Sequence, residues 1–251
     1  MFAADEILRV WRKFDRFPME TLTKAWFYKQ NTAKKQREVT LMKEHYERYG
    51  ITGNCFDLTI WLLHEFENEG IEAYPVGHDL GTPDAHVAVI AKDEKGKRYF
   101  CDLGDQWLNP IQIEAGSEHK YKGFFPAAEI QVNAEGDLFT VHYHRPNGKM
   151  SKQSFDLTKI NSFDLWRAAE ISQNTIKTIP LLECRIPYKA ETAHWEFYNW
   201  GSILSTTEGL VDEPKTEDIE QWCLRINQKT GYDKKFLSEA LQIYRDMRYT
   251  H

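Results

Sequence analysis

The stretch from Asn54 to Gly70 carries a helix signal marked at both ends, and directly after it the apolar pattern changes period. Asn54 is a residue type whose side chain accepts hydrogen bonds from the free N–H groups of a first helical turn. Asp57, three positions on, can return one in the manner of a capping box. Leu58, Leu62 and Phe66, with Trp61 beside them, form an apolar stripe, and Asn68-Glu69-Gly70 ends it. Beyond Gly70 the runs 71–76, 85–91 and 98–103 read as strands, with Asp93-Glu94-Lys95-Gly96 as a hairpin turn between the last two. A capped helix followed by hairpin strands defines an α+β chain.

The rest of the sequence extends that reading. Ile7, Trp11 and Phe14 mark one helical face. Pro18 suits the first turn of a second helix through Glu20, Leu22 and Trp26. Val39, Met42, Tyr46 and Tyr49 mark a third, with Gly50 as its stop. Further strands are expected at 139–144, 149–155 and 194–200, and helices at 163–172, 216–226 and 233–248. The expected architecture is a helical N-terminal part over 1–70, a central antiparallel β-barrel or sheet over 71–160, and a mixed α/β C-terminal part over 161–251. No Gly/Pro/Ser linker and no repeat divides them, so they are expected to pack as one unit.

Composition narrows the classes of function. A hydrophobic share of 41% with a net charge of −6 fits a globular protein and disfavours nucleic acid as a partner, since phosphate binding needs a basic surface. No run approaches the roughly 20 apolar residues of a membrane span. The opening residues lack the basic and apolar regions of a secretory signal. The four cysteines are far apart and form neither a disulfide framework nor a zinc-ribbon pattern. A cytoplasmic protein without metal is the expectation, its partner a small molecule and not nucleic acid or membrane.

Cys55 stands between the capping residue Asn54 and the apolar stripe. A thiol attacks as the thiolate, and the outward N–H groups and positive dipole end of a helix N-terminus favour that anion. His86 opens the strand-like run His86-Val87-Ala88-Val89-Ile90, and Asp102 lies in the next run, Tyr99-Phe100-Cys101-Asp102-Leu103-Gly104. With the turn at 93–96 as hairpin centre, His86 and Asp102 become near neighbours on adjacent strands. Such an acid fixes the tautomer of the imidazole and stabilises its charged form. Cys55, His86 and Asp102 are therefore the candidate catalytic residues. Cys101, Cys184 and Cys223 read as small buried hydrophobes.

Gly53-Asn54-Cys55-Phe56-Asp57, His86-Val87-Ala88-Val89 and Asp102-Leu103-Gly104 together resemble motifs of the arylamine N-acetyltransferases, within the transglutaminase-like, papain-related cysteine enzymes. In that family the nucleophile lies in Arg-Gly-Gly-(Phe/Tyr)-Cys-(Phe/Tyr)-Glu and the acid in Asp-Val-Gly-Phe-Gly. Phe197-Tyr198-Asn199-Trp200-Gly201-Ser202 is similar to an Asn-x-x-x-Ser stretch of its C-terminal region. The resemblance implies a cysteine-proteinase-like core and ping-pong acetyl transfer to an amine, with acetyl-CoA as co-substrate. Here Thr52-Gly53-Asn54 precedes the cysteine, Asp57 replaces Glu, and Gly104-Asp105-Gln106 replaces Gly-Phe-Gly.

Two other readings stay open on these residues. The same triad with water as acceptor gives a transglutaminase-like amidase or peptidase. A buried, inert Cys55 gives a non-catalytic binding protein on an inherited scaffold. Weaker signals are His142-x-His144 as two ligands on one strand face, His78 and Asp79 as cleft residues, and Trp195, Phe197, Tyr198 and Trp200 as core aromatics or an acceptor pocket.

Overall fold

A computed structural model describes residues 2–30, 32–114 and 118–249. The N-terminal part runs α1 (Asp5–Trp11), a short 3₁₀ turn, β1 (Met19–Glu20), α2 (Leu22–Tyr28), α3 (Val39–Tyr49) and α4 (Cys55–Asn68). Gly50 closes α3 in the left-handed region with φ of 74°, a conformation glycine adopts without steric cost. The second helix begins later than Pro18 suggests. Met19 and Glu20 are extended because they pair with a distant strand, and Glu20 accepts bonds from the N–H and hydroxyl of Thr23 at 2.7 and 2.5 Å.

The central strands are β2 (Ala73–His78), β3 (His86–Lys92), β4 (Arg98–Cys101), β5 (Ile111–Gln112), β6 (Tyr121–Phe125), β7 (Ala128–Glu135), β8 (Leu138–His144) and β9 (Met150–Asp156). They form an eight-stranded, nearly closed antiparallel sheet in the order β5-β4-β3-β2-β9-β8-β7-β6. After α5 (Ser162–Asn174) come β10 (Leu181–Tyr188), β11 (Glu191–Tyr198), β12 (Gly201–Thr206) and β13 (Gly209–Asp212). These join β1 in a second antiparallel sheet, β1-β10-β11-β12-β13. The chain ends on α6 (Ile219–Thr230) and α7 (Lys234–Tyr249). The α+β class expected from the sequence is the class observed.

Each sheet has its own core. One gathers Phe56, Leu58, Leu62 and Phe66 of α4 with Val87 to Ala91 of β3 and Phe100, Phe139 and Phe155. β3 is buried along Val87–Ala91 because α4 covers one face and the barrel interior the other. That double burial explains its unbroken apolar run, where a one-sided strand would alternate. Each such large side chain contributes roughly 1.5–3 kcal/mol on burial. The other core gathers Trp195, Phe197 and Leu204 with Trp222, Phe236 and Leu241. Trp195 and Phe197 are therefore core residues, whereas Tyr198 is exposed. The expected strand 194–200 stops at Tyr198, because Asn199 and Trp200 take φ of 48° and 62° as the turn into β12.

Candidate active site

Three elements bring the candidate side chains to one place. Asn54 caps α4 by accepting from the N–H of Phe56 and of Asp57, and the Asp57 carboxylate returns a bond to the Asn54 N–H. The capping box thus forms as its residues suggest, and Cys55 takes the first helical position. Its backbone N–H has no carbonyl four residues back within the helix. Among the four free cysteines Cys55 alone is partly exposed. Burial pushes the thiols of Cys184 and Cys223 up to about 12 and about 11, and Cys101 still higher.

His86 opens β3, which lies against α4. Thr59, one turn past Cys55, donates to the Val87 carbonyl at 3.1 Å and so ties the helix to the strand beside His86. The Nε2 atom of His86 lies 2.8 Å from Asp102 Oδ2. That leaves Nδ1 for the other side of the ring, and Cys55 Sγ donates to the carbonyl of Ala85, the residue before His86, at 3.9 Å. Asp102 follows β4 directly and has no exposed surface. Its Oδ1 accepts from the Asp105 N–H at 3.0 Å. Gly104 packs into the remaining gap. A Cβ at Gly104 would sit 2.7 Å from His86 Cε1 and 2.8 Å from Cys55 Cβ, so no side chain fits there.

The electrostatics favour a charged imidazole. Burial alone disfavours the imidazolium, but Asp102 and Asp105, with Cys55 nearby, outweigh it and hold His86 well above its ordinary value. Asp105, which the sequence reading noted only as a departure from a motif, has Oδ1 3.8 Å from the same Nε2. Burial, then repulsion from Asp102, pushes its carboxyl up to about 7. Lys24 of α2 lies within the field of Cys55 and Asp57, yet burial brings it down to about 8. Neither Lys24 nor Asp105 carries a sequence signal, because both arrive through packing of non-local segments.

The floor beneath Cys55 is polar and buried. Arg37 pairs with Asp57 at 3.3 Å and donates to the Thr52 carbonyl, with 2% and 1% of the two side chains exposed. An arginine therefore reaches the nucleophile motif from another segment, although none stands next to it in sequence. Gln36 and Gln173 both donate to Asp57 at 3.0 Å, and the Tyr232 hydroxyl accepts from the Thr52 N–H. Each partner satisfies a group whose burial would otherwise cost about 1–3 kcal/mol.

His78 lies beside the site, its ring 5.7 Å from that of His86 and its Nε2 3.2 Å from Gln153 Nε2. Asp79 pairs with His78 Nδ1 at 2.8 Å. His142 and His144 find no third metal ligand among the described residues, and His144 bonds Gln131 instead. The described group with metal-compatible spacing is His86, Asp102 and Asp105, whose ligand atoms lie within 4.8 Å of one another. A cleft of about 660 Å³ opens from Asp105 between β8 and β9 on one side and β10 to β12 on the other. Asp105, Glu183 and Glu196 line it together with Arg145, Lys149 and Lys152, and with Tyr143, Gln153 and His194.

This α+β fold is the one found in solved arylamine N-acetyltransferases. The solved structures it is similar to include the Mycobacterium smegmatis arylamine N-acetyltransferase, with a TM-score of 0.73 at 14% identity over 95% of this chain and 90% of that one. The Mycobacterium marinum enzyme in complex with CoA matches with a TM-score of 0.73 at 13% identity over 98% and 94%. A Bacillus cereus arylamine N-acetyltransferase, described as having a unique Cys-His-Glu catalytic triad, matches at 0.65 and 13% over 91% and 90%. No protein-family model and no curated protein matches the chain by sequence. No described helix is long and apolar enough to cross a membrane.

Proposed function

We propose that this chain is an acyltransferase that carries an acetyl group on Cys55 from acetyl-CoA to a small-molecule amine. The observation that carries the reading is the grouping of Cys55, His86 and Asp102 around Gly104, on a fold shared with acetyl-transferring enzymes. The Cys55 thiolate attacks the thioester carbonyl, and the N–H of Cys55 at the open helix end stabilises the developing oxyanion. His86 hands its proton to the departing CoA thiolate, then takes one from the incoming amine. Asp102, bonded to Nε2, holds the ring's orientation and leaves Nδ1 as the nitrogen that exchanges the proton. The third position accepts either carboxylate on this fold, given the Cys-His-Glu triad described for the Bacillus cereus protein. The CoA complex of the Mycobacterium marinum protein supports CoA as the carrier.

The test is intact-mass spectrometry after incubation with acetyl-CoA. A gain of about 42 daltons that maps to Cys55 is the acetyl-enzyme of covalent catalysis. No gain, or a gain that persists in Cys55→Ala, overturns the reading.

A further inference from the structure

Asp105 is tied into the triad through its backbone and through both carboxylate oxygens. Its N–H donates to Asp102 Oδ1 at 3.0 Å, its Oδ1 lies 3.8 Å from His86 Nε2, and its Oδ2 accepts from the Tyr143 hydroxyl at 3.1 Å. Tyr143 belongs to β8 and is buried, so it anchors this carboxylate from the barrel wall. The same hydroxyl lies 3.1 Å from Gln153 Oε1, and the Gln153 amide nitrogen lies 3.2 Å from His78 Nε2. The groups facing His86 come from four segments: Cys55 of α4, His78 of β2 with its ring 5.7 Å away, Phe155 of β9 with its ring 5.8 Å away, and Asp102 and Asp105 beyond β4. Behind Asp105, Glu183 of β10 repels it and His194 of β11 feels its charge. Asp105 stands where the resembled motif has phenylalanine, so this chain places a second carboxylate where a ring would stand.

Resting on the acetyl-transfer reading above, we propose that Asp105 is a positioning residue of this site: held by Tyr143, it joins Asp102 in fixing His86 as the imidazolium, and so favours acetylation of Cys55 over the transfer that follows. The two half-reactions ask opposite things of the ring. Acetylation uses the imidazolium, which stabilises the attacking thiolate and gives its proton to the departing CoA. Transfer uses the neutral ring, which takes a proton from the amine. A second carboxylate beside Nε2 favours the charged ring throughout, so it helps the first step and opposes the second. Asp105 responds to the ring in turn. Burial and repulsion from Asp102 push its carboxyl up to about 7, and the charge on His86 works against them, so acid and imidazole titrate as a pair.

The imidazole of His86 is titrated by NMR in histidine-labelled protein, its signal assigned with His86→Gln, for the unmodified chain, Asp105→Asn and Tyr143→Phe. The midpoint is expected to fall by about one pH unit in Asp105→Asn, and in the same direction by less in Tyr143→Phe. Single-turnover kinetics then separates the half-reactions, with aniline as acceptor because it stays neutral from pH 6 upward, roughly the range in which histidine titrates. In Asp105→Asn the alkaline limit of Cys55 acetylation moves down with the midpoint, and transfer from acetyl-Cys55 to aniline becomes faster at neutral pH. A merely structural loss slows both steps and leaves their pH limits in place. An unmoved His86 midpoint in Asp105→Asn, or transfer slowed at neutral pH, overturns the proposal. If Asp105→Asn does not fold, Tyr143→Phe decides the matter, and an unmoved midpoint there overturns it. A shifted midpoint in a protein that gains no acetyl group by mass supports the hold of Asp105 on His86 and overturns the acetyl-transfer reading alone.

Discussion

Thr59 Oγ1 donates to the carbonyl of Val87 across 3.1 Å, one helical turn beyond Cys55 and one residue beyond His86. This buried bond ties the helix of Cys55 to the strand of His86. Thr59→Val keeps the shape and removes the donor. It is expected to cost about 1 kcal/mol of stability, as the lost net worth of one hydrogen bond. A misplacement of even an ångström at the reacting atoms costs about a hundredfold, so kcat should fall well beyond the stability loss while KM moves little. Steady-state kinetics beside urea unfolding checks the two effects.

Asp102→Asn preserves size but removes the charge facing His86 Nε2. On the triad template, loss of the orienting acid lowers kcat by about 10⁴-fold. It also changes the dependence of stability on pH. His86 is raised in the folded state, so its charged form stabilises the fold fully below the unfolded value of about 6.5. That contribution disappears as pH rises through the folded-state value. The alkaline decline in unfolding free energy should therefore shrink in Asp102→Asn, as read from denaturant midpoints across neutral to alkaline pH.

Arg37 and Asp57 form a buried ion pair under the cap of α4. Removing one partner leaves the other charge uncompensated. Arg37→Met is expected to destabilise by about 3–5 kcal/mol. Because Asp57 also closes the capping box, alkylation of Cys55 by iodoacetamide should slow in the folded fraction. Unfolding curves and peptide-resolved alkylation rates test both parts.

Glu20 has no exposed surface, and burial pushes its carboxyl up to about 7 against the Thr23 bonds and Arg37. The folded state holds this proton more tightly than the unfolded chain. Its stabilisation is complete below the ordinary carboxyl range and fades as pH rises through about 7. The shift corresponds to roughly 2–4 kcal/mol across that window. Glu20→Gln should flatten the fall of stability with pH, while Asp105, shifted in the same direction, keeps some slope.

Local chemistry was legible in the sequence and long-range partnership was not. Asn54 and Asp57 announced the cap, Gly50 the stop of α3, and the apolar run after His86 a buried strand, because each depends on neighbours within a few residues. The sequence reading has no strand at β1, β5, β6, β7, β10, β12 or β13. β7 alternates Ala128, Ile130, Val132 and Ala134 with Glu129, Gln131, Asn133 and Glu135, a period-2 strand signal that the sequence reading does not use, whereas Pro187 interrupts β10. Asp102 could be placed near His86 from the hairpin turn at 93–96, since Val89 pairs with Cys101 and fixes the register. Arg37, Gln173 and Tyr232 reach the Thr52–Asp57 stretch only through tertiary packing. Glu183 and Glu196 enter the cleft only because β10 and β11 pair. No local pattern marks any of these.

Acetylation of Cys55 is the step on which acetyl transfer by this chain depends. Rapid-quench measurement of CoA release, with enzyme at a concentration comparable to acetyl-CoA and an amine acceptor present, addresses it directly. A burst approaching one CoA per Cys55 before steady turnover is expected, and no burst in Cys55→Ala. Linear release from time zero without acetyl-Cys55, or steady turnover retained by Cys55→Ala, would contradict it.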